Sequence, residues 1–157
     1  DMSYMFAYCD SIDTIDVSGF NTINVKDMSS MFEECGLLNS LDLSNWKTHN
    51  VTSMDRMFKY CKSLTDIDMT VFDTNSVTNM YEMFYGCDSI ETICVSDLWT
   101  TDAVENSTDM FYDCLSLVGE KGTVYDSTHV DMSYAHIDGG EDNPGYLTDG
   151  RTAFAFS

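Results

Sequence analysis

Val51-Thr52-Ser53-Met54-Asp55-Arg56-Met57-Phe58-Lys59-Tyr60-Cys61-Lys62-Ser63-Leu64-Thr65-Asp66-Ile67-Asp68-Met69 is one copy of a pattern that recurs along the whole front of the chain. Its cysteine belongs to a series, Cys9, Cys35, Cys61 and Cys87, spaced by 26 residues, with Cys114 following after 27. Phe6, Phe32, Phe58, Phe84 and Phe111 keep the same period, as do Met5, Met31, Met57, Met83 and Met110. A fixed period of this length marks a unit that buries its apolar face only by stacking on its neighbours. Five copies are visible, and the extra residue is placed between Leu98 and Asn106.

Each copy has two halves. In the first, Met54, Met57, Phe58 and Cys61 fall at i, i+3, i+4 and i+7, as Met2, Met5, Phe6 and Cys9 do, which is one face of a short helix. Asp1, Asp27, Ser53 and Asn79 stand before it as cap-forming residues, and Asn79 with Glu82 loosely matches a capping box. In the second half, Leu38, Leu41 and Leu43 follow the L-x-x-L-x-L register with Trp46 beyond, and Ile12, Ile15, Val17 and Phe20 repeat it. Leu64, Ile67, Met69 and Phe72 do the same; in the next copy Ile90, Ile93 and Val95 lead to Leu98 in the aromatic's place. The expected fold is an α/β solenoid. It is a leucine-rich-repeat array of about five coils over residues 1–118, each a short helix plus a short parallel strand, and reads as part of a longer array. Residues 119–157 are expected to form a cap, with Val124, Tyr125, Tyr134 and Ile137 covering the last coil.

The quoted stretch closely resembles the 26-residue repeat of BspA-like leucine-rich-repeat bacterial surface proteins, over residues 1 to about 118. The segment holding Tyr134-Ala135-His136-Ile137-Asp138-Gly139-Gly140 and Asn143-Pro144-Gly145-Tyr146 resembles the closing segment of such arrays. The resemblance implies a secreted or cell-wall-attached bacterial protein that adheres to host or microbial partners. The sequence departs from the pattern at Cys94, where other copies carry Asp16, Asp42 and Asp68, and in the fifth copy after Leu117.

The residues themselves point to binding and away from catalysis. With 27 acidic and 7 basic residues the formal charge is −20, which repels nucleic acid and anionic membranes. No apolar run is long enough for a membrane helix. His49, His129 and His136 accompany no nucleophile motif, and Asp138-Gly139-Gly140-Glu141-Asp142 does not reproduce a calcium loop. No cofactor and no metal is expected. The cysteine column lacks the close ligand pairs of a zinc site and is read as buried, reduced thiols; Cys94, on the outward strand face, is expected to be exposed and to react first.

The candidate binding surface is the outward strand face. Thr14, Ser40, Asp66 and Thr92 form one column there, and Asp16, Asp42, Asp68 and Cys94 the next. Asp16, Asp42 and Asp68 are also explained by local hydrogen bonding to neighbouring hydroxyls. A second patch on the other side sets Tyr85 and Tyr112 in one column with Ala7, Glu33 and Lys59, with Tyr8 and Tyr60 alongside. The expected partner is a protein or a host or microbial surface ligand, with self-association through the open amino-terminal edge as a further possibility. A structural spacer, or a targeting stalk for another domain, is the alternative role.

Overall fold

A computed structural model describes residues 1–151. Residues 152–157 of the expected closing segment lie outside the described residues. The repeats stack in sequence order, but no α-helix forms in any of them, so the expected α/β solenoid with a helix in each coil is incorrect: the repeats are mostly turns and loops, with short parallel strands. The segment from Met54 to Cys61 is instead a chain of overlapping turns. Met57 N–H donates to Met54 C=O at 3.3 Å, Lys59 to Arg56 at 3.2 Å and Cys61 to Phe58 at 3.0 Å. Arg56 and Tyr60 take left-handed backbone, with φ of 55° and 60°, and Tyr4, Tyr8, Ser30 and Glu34 do the same in earlier copies.

The amides between those turns explain why no helix forms. At each of the four junctions between repeats, four alternate N–H groups leave the coil and donate to carbonyls of the next one. At the second junction Met28, Ser30, Phe32 and Glu34 donate to Ser53, Asp55, Met57 and Lys59, at 3.0, 2.8, 2.9 and 2.7 Å. A helix would spend the same groups on its own carbonyls four residues back. Bonding between coils satisfies the backbone and fastens neighbouring copies, so the turn chain prevails.

The second half of the repeat yields less strand than the alternation implied. Strand β1 (Asp66–Asp68) pairs in parallel with β2 (Thr92–Val95), and β2 pairs in parallel with β3 (Thr148–Asp149). In the first two copies only the bridge between Thr14 and Ser40 marks the ladder. The core lies between turn chain and ladder. Phe6, Phe32, Phe58, Phe84 and Phe111 stack with ring centroids 5.5–5.7 Å apart. The cysteines run beside them, and Cys35, Cys61, Cys87 and Cys114 each donate from Sγ to the phenylalanine carbonyl of the preceding copy. All six cysteines are free thiols.

The register in the fourth copy also differs from expectation. Trp99 N–H donates to Ser96 C=O just as Phe20, Trp46 and Phe72 donate to Val17, Leu43 and Met69. Trp99 therefore fills the aromatic position, Leu98 is 45% exposed, and the extra residue lies between Val95 and Trp99.

The segment after Val118 folds over the fifth copy. Tyr146, fully buried, meets Phe111 edge-on with centroids 5.2 Å apart, and Trp99 Nε1 donates to Ala135 C=O at 2.9 Å. Phe111 N–H donates to Val130 C=O. Tyr125, Tyr134 and Ile137 pack against this core, whereas Val124 is 65% exposed. The segment is organised by Asp138, whose buried carboxylate accepts from the N–H groups of Lys121, Thr123, Gly140 and Gly145 and from the Thr123 hydroxyl. Met132–Tyr134 forms a 3-10 turn within it.

Candidate interaction surfaces

The outward ladder face carries the expected columns in register, since Asp66 pairs with Thr92 and Asp68 with Cys94. Asp16, Asp42 and Asp68 are exposed, and each is occupied locally. Asp16 accepts from the Ser18 N–H and hydroxyl at 3.0 and 2.6 Å, Asp42 from those of Ser44 at 3.0 and 2.6 Å, and Asp68 from those of Thr70 at 3.0 and 2.7 Å. The hydroxyl and N–H bonds hold the Asp16 and Asp42 carboxyls below their ordinary pKa. Thr14, Ser40 and Asp66 are exposed and Thr92 is half-buried.

Cys94 departs from its expected role as the exposed, reactive thiol. It is 8% exposed, because β3 runs beside it with Thr148 as its partner. Burial, reinforced by Asp68 and Asp66, raises its pKa, which disfavours the reactive thiolate.

The opposite side, over the turn chain, holds a denser arrangement. Tyr60 meets Tyr85 edge-on at 5.5 Å, and Tyr85 stacks on Tyr112 at 4.9 Å, so three rings form a ridge across the third, fourth and fifth copies. Gly86 makes room for it: a Cβ there would collide with Cδ1 and Cε1 of the Tyr60 ring. Three of the chain's 7 basic residues lie at this ridge. Lys59 Nζ sits 4.8 Å from the Tyr85 ring centre, Lys62 Nζ 5.6 Å from that of Tyr60, and Arg56 Cζ 4.8 Å from that of Tyr81.

Glu82 ties the basic groups down. Its Oε2 accepts from Lys59 Nζ at 2.5 Å and Arg56 Nε at 3.2 Å, so it serves this network and not a capping box with Asn79. Partial burial works against charge on Lys59 and Arg56, but the Glu82 carboxylate outweighs it and raises both pKa values; they in turn lower that of Glu82. The result is a set of aromatic and cationic side chains that contact one another, with Arg56, Lys59, Tyr60 and Tyr85 half-buried and Lys62 and Tyr112 exposed. Tyr8, named beside this patch from sequence, lies in the first copy and has no ring contact with it among the described residues. The sequence pointed to Lys59, Tyr60, Tyr85 and Tyr112 but not to Arg56 and Glu82; the offset of 26 residues from Arg56 and 23 from Lys59 to Glu82 was the available signal.

The described residues contain no cluster of His, Cys, Asp or Glu able to hold a metal ion, and no helix long and apolar enough to cross a membrane. The stacked repeats present two extended faces, the ladder face and the tyrosine ridge. Residues 1–136 match the family described as "Mycoplasma protein of unknown function, DUF285", and the chain belongs to that family of bacterial surface-repeat proteins. No curated protein and no solved structure matches the chain.

Proposed function

We propose that the chain is a non-catalytic binding module of a bacterial surface protein and that it contacts protein partners through the tyrosine ridge. The observation that carries this reading is the prestacked Tyr60–Tyr85–Tyr112 row with its cationic side chains. Tyrosine and arginine are enriched where binding energy concentrates, and side chains that already contact one another lose less entropy on binding than free ones. By contrast the ladder-face carboxylates are already satisfied by their own neighbours. The likeness of the repeat to BspA-like surface proteins supports adhesion to host or microbial protein as the setting.

The test compares adherence of the labelled protein to cultured host cells and to other bacteria. A triple variant, Tyr60→Ser, Tyr85→Ser and Tyr112→Ser, should bind about tenfold or more weakly, equivalent to losing at least one strong interface contact. The triple variant Asp16→Asn, Asp42→Asn and Asp68→Asn should bind nearly as the parent does. If the parent adheres to neither cell type the module is a spacer or stalk; if only the aspartate variant loses binding, the ladder face is the contact surface. Either result overturns the ridge.

A further inference from the structure

Two phenols meet at the surface where the fourth copy joins the fifth. Tyr85 and Tyr112 hold the same position in successive copies, and their rings stack with centroids 4.9 Å apart at 21°. Tyr85 is half-buried, whereas Tyr112 is 40% exposed and its hydroxyl has no hydrogen-bond partner among the described residues. Stacked phenols within reach of a dissolved oxidant are poised to couple through their rings.

The rest of the chain's 9 tyrosines are placed less well for this. Tyr60 meets Tyr85 edge-on at 84° and is held against Gly86, where a Cβ would strike its ring. Tyr146 is fully buried and its hydroxyl donates to the carbonyls of Asp126 and His129. Its ring neighbours are also engaged, since the Tyr125 hydroxyl accepts from Asp113 N–H and Tyr134 stacks on His129 at 4.2 Å. Tyr81 lies under Arg56, and Tyr4 and Tyr8 are exposed without a tyrosine ring beside them among the described residues. The cysteines are poorly suited to bridge copies. At this end of the stack Cys61, Cys87 and Cys114 are buried, each donates from Sγ to a phenylalanine carbonyl, and burial pushes their pKa up, that of Cys87 to about 12, which disfavours the reactive thiolate.

We propose that Tyr85 and Tyr112 are a modification site, at which peroxide acting through a one-electron oxidant of the haem-peroxidase class joins the two rings into dityrosine and fastens the fourth copy to the fifth. Each phenol gives up one electron and its hydroxyl proton. The two radicals join through a new Cε–Cε bond; each joined carbon then releases its hydrogen as a proton, and each phenol oxygen takes one back. The pair loses two hydrogens in all, and one hydrogen peroxide accepts the two electrons and two protons to leave two waters. Tyr112, being exposed, can turn about its side-chain torsions to set its Cε edge against that of Tyr85. The link closes the chain between residues 85 and 112 and restricts the unfolded state as other cross-links do. It does not rest on the ridge being a contact surface.

The test treats the dilute, folded chain with hydrogen peroxide and a haem peroxidase. A monomer lighter by two hydrogens and showing the blue fluorescence of dityrosine should form, and proteolysis should release the peptides holding Tyr85 and Tyr112 still joined. Tyr112→Phe keeps the stacked ring without the phenol and should abolish the joined peptides and most of the fluorescence, whereas Tyr4→Phe with Tyr8→Phe should leave both intact. The linked monomer should also melt at a higher temperature than the untreated chain. Coupling that maps mainly to other tyrosines, that appears only between chains, or that survives Tyr112→Phe overturns the proposal. So does a treated monomer that gains oxygen at methionine without joining its rings. An equal yield of the same link in urea would overturn it as well, because the coupling would then owe nothing to the stacked pair.

Discussion

Single residues differ in how much of the fold they hold. Phe58 is fully buried between Phe32 and Phe84, whereas Phe6 has a neighbouring ring of its own column on one side only. Phe58→Ala should therefore destabilise by about 3–5 kcal/mol and Phe6→Ala by clearly less. Denaturant midpoints for the two variants check this, and equal losses would contradict a dependence on how many rings of the column flank each phenylalanine. Asp138 is the corresponding residue of the closing segment. Burial alone would raise its pKa, but the bonds from Gly140, Thr123 and Lys121 more than offset that and hold it at about 2. A depressed carboxylate stabilises the fold fully above its unfolded pKa of about 3.9 and loses that contribution as pH falls through the folded value. About 2–3 kcal/mol should thus be lost progressively between roughly pH 5 and pH 1. Acid unfolding followed by tyrosine fluorescence should show this slope in the parent and lose it in Asp138→Asn, which starts less stable.

At the scale of elements, the turn chain and the β3 strand each hang on a glycine. Tyr8, Glu34, Tyr60 and Asp113 occupy the position of Gly86 in other copies with φ between 58° and 64°, so left-handed backbone alone does not demand glycine there. The Tyr60 ring does, because it lies where the Cβ would go. Gly86→Ala should cost about 1–3 kcal/mol, as overpacking does, and should displace Tyr60 from Tyr85 and weaken adherence through the ridge. Gly150 is the counterpart beside β3: a Cβ there would overlap Cγ2 of Thr70. Gly150→Val should loosen β3 and speed alkylation of Cys94 in the folded protein; an unchanged rate would mean that β3 does not shield the thiol.

These elements also show how far the sequence could be read. The apolar columns were legible because stacking repeats each contact: Met57, Phe58, Cys61, Leu64, Ile67 and Met69 are all buried. The helix was not. Turns that bring left-handed backbone every four residues, as at Tyr4 and Tyr8, place Met5, Phe6 and Cys9 toward the core much as a 3.6-residue period does, and over so short a span the two cannot be told apart. The cap signal was real chemistry in another setting. Asp1, Asp27 and Asn79 do accept from the N–H two residues on, in Ser3, Ser29 and Tyr81, but the turn they open never becomes a helix. On the ladder side, Cys94 was assigned to the surface from alternation, which carries no information about the β3 strand that returns some 54 residues later to cover it. Tyr146 was legible only as part of the closing segment, and not as a residue covering the last coil, for the same reason, since its burial depends on Phe111, Tyr125 and Tyr134 rather than on any local pattern.

For the whole molecule the question is whether repeats and closing segment unfold as one. A stack held by nearest-neighbour contacts behaves as coupled units, and loss of one end exposes the next. The two tryptophans report on different junctions: Trp46 Nε1 donates to Val17 C=O between the first and second copies, and Trp99 Nε1 to Ala135 C=O between the fourth copy and the closing segment. Trp99→Phe leaves Trp46 as the only indole, and Trp46→Phe leaves Trp99. If coupling is strong, indole fluorescence in the two variants should follow far-UV dichroism through a single transition, after allowing for each variant's own stability. Removing residues 119–157 should then lower the midpoint seen by Trp46 as well, although Trp46 touches nothing in that segment among the described contacts. A Trp99 transition well ahead of that of Trp46, with the Trp46 midpoint unmoved by truncation, would show instead that the closing segment melts alone and that the repeats stand without it.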